Sequence, residues 1–170
     1  MNKSIYIPLL LIFQFSFFIS SCSRPSRVEQ YRAEKHIQDS VRLEEQTRSL
    51  AFYESQLEAL MPTADSLIAL FQYEKNDKYQ DHGYYVVRTS RLRMAHPGLR
   101  ILVRDDGQEM LVYKEGKRLD NPFENLPSAD HAALDLAEQL RVTISDIKEL
   151  EHRISRTSLE IQKYQKRLEK

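Results

Sequence analysis

The chain has 170 residues and as many lysines plus arginines as aspartates plus glutamates, 25 of each, so its formal charge is zero. That balance argues against a nucleic-acid or anionic-membrane binder. Four glycines, no tryptophan and 29% charged residues suit long helices better than a loop-rich enzyme, and a single cysteine excludes an intrachain disulfide, so stability must come from packing.

The first element in chain order is an export signal. Lys3 precedes an apolar run over 5–19, interrupted only by Pro8, Gln14 and Ser16 and ended by Ser20 and Ser21. A bilayer span needs about 20 apolar residues, whereas a secretory core needs about 7–15. The run closes on Ile19-Ser20-Ser21-Cys22, which resembles the lipobox of bacterial lipoprotein signal peptides: a branched apolar residue, two small residues, then cysteine. The resemblance covers 1–22 and implies removal of 1–21, a diacylglyceryl group on the Cys22 sulfur and an acylated new N-terminus. Several acyl chains hold a protein to a bilayer firmly, where one holds it only marginally. Ser23 does not resemble the aspartate that retains many lipoproteins at the inner membrane, so the same resemblance implies an outer-membrane anchor facing the periplasm. Processing leaves about 150 residues, enough for one domain, and residues 22–27 read as a lipidated linker.

Residues 28–76 read as the first helix. From Leu43 the apolar positions alternate by three and four through Gln46, Leu50, Tyr53, Leu57, Leu60, Ala64, Leu67 and Phe71, with glutamates and Arg48 between them. That is a heptad seam of the coiled-coil kind. Upstream, 28–40 holds the seam poorly, with His36 and Asp39 on it, and reads as a frayed, solvated stalk. Pro62 lacks the N–H that bonds to the carbonyl four residues back. Because the seam keeps its phase across Pro62, a kink is favoured over a chain reversal.

Residues 77–127 read as a small β head. Tyr84 to Arg88 is rich in aromatic and branched residues, 99–104 alternates, and Asp106-Gly107 offers a two-residue type I′ turn into 109–113. Counting outward from that turn pairs Arg104 with Glu109, Val103 with Met110, Leu102 with Leu111 and Ile101 with Val112. One face is then apolar, and the other carries Arg100, Arg104 and Glu109 around Leu102 and Leu111. Two strands alone are marginal, so Tyr84 to Arg88 is expected to add a third.

Residues 128–170 read as the second helix, with Ser128 as N-cap and Asp130 in its first turn. Its seam runs Ala133, Leu136, Leu140, Thr143, Ile147, Leu150, Ile154, Thr157, Ile161, Tyr164 and Leu168 without slipping. Pairing seam residues antiparallel sets Leu60 against Ile147, Leu57 against Leu150 and Tyr53 against Ile154, with Gln46 opposite Ile161 the one poor layer. The expected fold is therefore mostly α with a small β element: an antiparallel coiled-coil hairpin of two long helices with a two- or three-stranded antiparallel sheet at the distal end.

None of His36, His82, His96, His131 and His152 is spaced from another histidine or the cysteine as metal ligands are, and no H-E-x-x-H, P-loop or G-x-S-x-G is present. No metal, cofactor or catalytic residue is expected. Asp81-His82 is readable as an acid–base pair, but a turn ahead of a strand accounts for it more simply. The strongest binding candidate is the acid-free stretch from Arg88 to Arg104. Arg88, Arg91, Arg93, Arg100 and Arg104 offer guanidinium forks to phosphate or carboxylate, with Tyr84 and Tyr85 beside them to stack. The plainer account is that these arginines solubilise a sheet face and pair with Glu109, Glu115 or helix acids.

The sequence thus points to a lipid-anchored, non-catalytic structural or adaptor lipoprotein of the cell envelope. The bilayer is its partner through Cys22, another envelope protein or an anionic envelope polymer its partner at the head, and self-association through the coil is open. The alternative is a holdase-type periplasmic chaperone. Known coiled-coil chaperones of that kind carry their sheet at the base, formed by the chain termini, whereas here the sheet is expected at the tip.

Overall fold

The computed structural model describes residues 26–75, 82–88 and 98–169. The elements run α1 (Arg27–Ile68), β1 (Phe71–Lys75), β2 (Gly83–Val87), β3 (Leu99–Arg104), β4 (Met110–Lys114), β5 (Lys117–Arg118), α2 (Pro122–Asn125) and α3 (Ser128–Leu168). The fold is mostly helical, and two long helices pack together beside a five-stranded antiparallel sheet of order β1-β2-β3-β4-β5.

α1 starts on a capping box rather than a frayed end. The Ser26 hydroxyl accepts from Glu29 N–H at 3.2 Å, and the Glu29 carboxylate accepts from Ser26 N–H at 2.7 Å. The exchange satisfies two of the orphan groups at a helix start. Bonds from Ser26 also hold the Glu29 carboxyl below the ordinary range. The helix runs through Pro62 and stops at Ile68, not at residue 76. Phe71, expected as the last seam position, begins β1 instead. The segment 71–75 is short and alternating, so tertiary pairing with β2 decides its conformation; Phe71 is buried either way.

The sheet has five strands rather than two or three. β1 was hidden in the helical phase, and β5 is only two residues long. The expected β3–β4 register is observed, from Val103 opposite Met110 to Ile101 opposite Val112. The turn that sets it differs from the expectation. Arg104 N–H donates to Glu109 O at 2.9 Å across a loop of 105–108, and Gly107 N–H donates to Arg104 O at 2.9 Å. Gly107 has φ +71° while Asp106 does not have positive φ, which excludes type I′ there. The Asp106 carboxylate instead holds the loop, accepting from Gln108 N–H at 3.0 Å and Arg104 Nε at 2.7 Å. The type I′ geometry sits at Glu115-Gly116, where both φ values are positive, +51° and +80°, and Lys114 pairs with Lys117.

Period-2 alternation sends Phe71, Val87, Leu99, Ile101, Val103 and Val112 to one face of the sheet. They pack on Ala133, Leu134, Ala137, Leu140 and Ile144 of α3. Gly107 closes against that helix, with room for no side chain: a Cβ would lie 2.5 Å from Ser145 N and 2.6 Å from Arg141 O. Helix α3 follows Pro127, and Ser128 is its first residue rather than its cap. The opposite side of α3 meets α1, low numbers against high: Asp39 lies 3.6 Å from Arg167, and the Arg153 guanidinium sits over the Tyr53 ring at 5.7 Å.

Candidate functional site

The face of the sheet turned away from α3 carries the groups with binding chemistry. The registers arrange them in rows across the strands. Glu74, Tyr84, Arg104 and Glu109 make one row, Gln72, Val86, Leu102 and Leu111 the next, and Arg100, Tyr113 and Arg118 the third. Leu102 and Leu111 of the middle row form the apolar floor of a groove of about 490 Å³ over β3 and β4, walled by Tyr84, Arg104 and Glu109 on one side and by Tyr113 and Arg118 on the other.

The arginines on this face are engaged with neighbouring acids. Arg104 donates through Nε to Asp106 at 2.7 Å and through a terminal nitrogen to Gln108 at 2.9 Å, and lies 3.9 Å from Glu109. The bond to Asp106 raises the Arg104 pKa above its ordinary value. Burial pushes the Asp106 carboxyl up, but the bonds from Arg104 and Gln108 outweigh it and the net shift is down. Arg118 lies 3.6 Å from Glu109, and Arg100 pairs with Glu74. Among the described residues, the groove is therefore studded with charge, and each of these arginines is paired with an acid.

The structure divides the residues that the sequence grouped together. Tyr84, Arg100 and Arg104 share the outer face. Tyr85 points the other way, as alternation requires, and meets the Tyr73 ring edge-on at 5.3 Å; burial raises its hydroxyl pKa, with the Asp105 charge adding to it. Arg88 follows β2 and is exposed, its N–H donating to Leu70 O at 3.3 Å. Arg91, Arg93, Asp81 and Cys22 lie outside the described residues. Arg118 was not anticipated, because a two-residue strand after a tight turn leaves no alternation to read.

His82 sits at the mouth of the groove, Nδ1 3.4 Å from Asp105 Oδ1. The partner is Asp105 on the next hairpin, a contact across the sheet that sequence proximity does not reveal. Asp105 is itself pinned: Oδ2 accepts from Gly83 N–H at 2.7 Å and Tyr73 hydroxyl at 3.1 Å, and its own N–H donates to Gly83 O at 3.1 Å. The carboxylate thus fixes the end of β2 to β3 and orients an imidazole toward the groove.

Among the described residues no three His, Cys, Asp or Glu side chains cluster as a metal site requires, and no helix is long and apolar enough to cross a membrane. A second cleft of about 410 Å³ lies between α1 and α3 beside Leu60 and Leu150, with Gln56, Asp146 and the Glu149–Arg153 pair on its polar wall. Comparison with known families, curated proteins and solved structures finds no match to this chain.

Proposed function

We propose that this protein is a lipid-anchored, non-catalytic adaptor of the cell envelope that holds its sheet away from the membrane and contacts another envelope component through the outer face. One observation carries the reading. Helix α1 begins at Arg27, five residues after Cys22, and delivers the chain to the sheet at its other end. Forty-two residues of helix extend about 60 Å. In this reading an acylated Cys22 puts the bilayer at one end of the helix pair and the sheet at the other, and the lipobox resemblance implies the periplasmic side of the outer membrane.

The stalk in this reading is an antiparallel coiled-coil hairpin. Every seam position from Leu43 to Leu67 on α1 and from Ala133 to Leu168 on α3 is buried or half-buried, which supports it. Cysteines replacing Leu57 and Leu150 in a Cys22→Ser background should cross-link within one chain, because opposed seam positions bring the backbones within bridging range. Cysteines at Leu57 and Ile161 should not; interchain products from the first pair would replace the hairpin with an oligomer.

Anchoring is tested by growth with labelled palmitate, which should label the protein and should not label Cys22→Ser. Label retained in that variant removes the lipoprotein reading. A chaperone is the second reading, favoured by Ile37, Val41 and Phe52, which stand exposed on the side of α1 away from α3. It requires suppression of client aggregation that falls when these three are changed together to serine.

A further inference from the structure

The middle row of the outer sheet face is out of character for a solvent-facing surface. Such positions in an antiparallel sheet are ordinarily polar, yet after Gln72 on β1 the row holds Val86, Leu102 and Leu111, and Val86 and Leu111 are only 9% and 8% exposed. Two ion pairs reach over this row from its flanks, Glu74–Arg100 across β2 and Glu109–Arg118 at β4, and the stems of such long side chains cover apolar surface beneath them. Between them lies the groove of about 490 Å³, within the roughly 300–1,000 Å³ of small-ligand sites.

We infer that this groove binds a short stretch of a neutral or zwitterionic polysaccharide of the envelope, with Tyr84 and Tyr113 against the faces of two separate sugar rings. The inference rests on the adaptor reading above and names its ligand. Three observations select the class. First, among the described residues Arg100, Arg104 and Arg118 each have a carboxylate within ion-pair distance, so these guanidinium groups are not free for a polyanion. Second, the groove lies on the sheet's face above β3 and β4, which pair with each other from Leu99–Lys114 to Val103–Met110, so a peptide lying in it meets no strand edge between them to join. Third, the walls alternate tyrosine rings with guanidinium, carboxylate and imidazole groups. A sugar presents the matching pattern: apolar C–H faces for a ring, and adjacent hydroxyls that both donate and accept.

The test uses the full-length protein in detergent against an array of short neutral, zwitterionic and sulfated oligosaccharides. At least one neutral or zwitterionic member should bind, with an affinity unmoved between about 0.05 and about 0.5 M salt, because no counter-ion is displaced. Tyr84→Ala and Tyr113→Ala should each weaken it about three- to tenfold, as loss of one aromatic contact does. Phenylalanine at either position should retain most of the binding, and Arg88→Gln, outside the groove, should retain all of it. Both tyrosines are half-exposed, so melting temperature should stay close to that of the parent and separate lost binding from lost fold. Binding confined to sulfated members and abolished by salt overturns the inference, as does binding indifferent to both alanine variants or no binding at all. A photo-cross-linking residue in place of Tyr113 then distinguishes the two readings in cells. A saccharide adduct supports both; a polypeptide adduct without glycan binding keeps the adaptor and overturns the saccharide; no adduct of either kind overturns both.

Discussion

The two halves of α3 share one periodic sequence and live in different environments. From Ala133 to Leu150 the helix is covered on two sides, by α1 and by the inner face of the sheet, and buries Leu134, Ala137 and Ile144 beside the seam as well as Leu140 on it. Beyond Leu150 it has α1 alone, and only Thr157 is buried. On α1 the buried residues are Asp39 and Ala64. A seam between two helices covers each side chain from one direction, whereas a sheet supplies the second direction and widens the buried stripe. Packing free energy is thus concentrated at the head, and the outer stalk is held by a narrow contact.

The largest expected effect exploits that asymmetry. Leu140→Ala removes a fully buried side chain shared by the sheet and the seam, and should destabilise by about 2–5 kcal/mol in urea unfolding. Ile161→Ala, a half-buried seam position on the outer stalk, should cost under about 1.5 kcal/mol, since less surface returns to water. Equal losses at the two sites would mean that the stalk is packed as well as the head, and the comparison would fall.

Glycines sharpen the same contrast at smaller scale. Gly107 and Gly116 both have positive φ, but a Cβ at Gly107 strikes the α3 backbone and one at Gly116 meets open space. Gly116→Ala should therefore show the left-handed conformational cost alone, about 1–2 kcal/mol. Gly107→Ala should exceed it, because the hairpin must lift from α3 and lose the 3.2 Å bond from Arg141 to Gly107 O. Comparable melting temperatures for the two variants would show that the hairpin sits loosely on the helix.

What could be read from the sequence followed how local the deciding interactions are. The seams of Leu43 to Leu67 and Ala133 to Leu168 were legible because helical periodicity is carried by the chain itself. So was the register of β3 on β4, since any turn centred between Asp106 and Gly107 gives the same pairs. The turn type was not, because the Asp106 side chain replaces a backbone pairing and only the folded loop brings it to Gln108 and Arg104. β1 was misread because Phe71 satisfies the helical phase and the strand alternation equally. At the outer face, Arg100, Arg104 and Glu109 were grouped correctly by alternation, whereas Tyr84 was paired with Tyr85, which lies on the other face. The contacts His82–Asp105 and Arg118–Glu109 join segments that only topology brings together.

The outer stalk has one strongly placed polar contact. Asp39 is 6% exposed and faces Arg167, which is more open and lies over the Tyr164 ring at 5.5 Å. Removing the partner of a buried carboxylate leaves it desolvated, so Arg167→Met should cost about 1–2 kcal/mol, a figure lowered by solvent screening at the half-exposed guanidinium. Asp39→Leu in the same chain should recover most of the loss, because two apolar groups replace the pair. A coupling near zero in that double-mutant cycle would show the contact to be incidental and the outer stalk to rest on its seam alone.

The smallest effect is expected to be a gain, at the β4–β5 turn where the sheet touches neither helix closely. Glu115 is the one described non-glycine residue with positive φ, at +51°, and it precedes Gly116 in a two-residue type I′ turn. An L-residue with an ordinary side chain resists that conformation by roughly 1–2 kcal/mol, and asparagine resists it least after glycine, because its short amide bonds locally to the backbone. Glu115→Asn should therefore stabilise by about 0.5–1 kcal/mol. The backbone N–H of residue 115 still donates to Gly98 O, and the exposed carboxylate lost has no ion pair within the described residues. The gain should appear in thermal unfolding with the denaturant slope unchanged, since the surface exposed on unfolding is the same. It should also leave saccharide binding intact, because Glu115 lies beyond the groove wall formed by Tyr113 and Arg118. A loss of stability would place the strain elsewhere and show that the Glu115 side chain contributes a contact worth more than its backbone conformation costs.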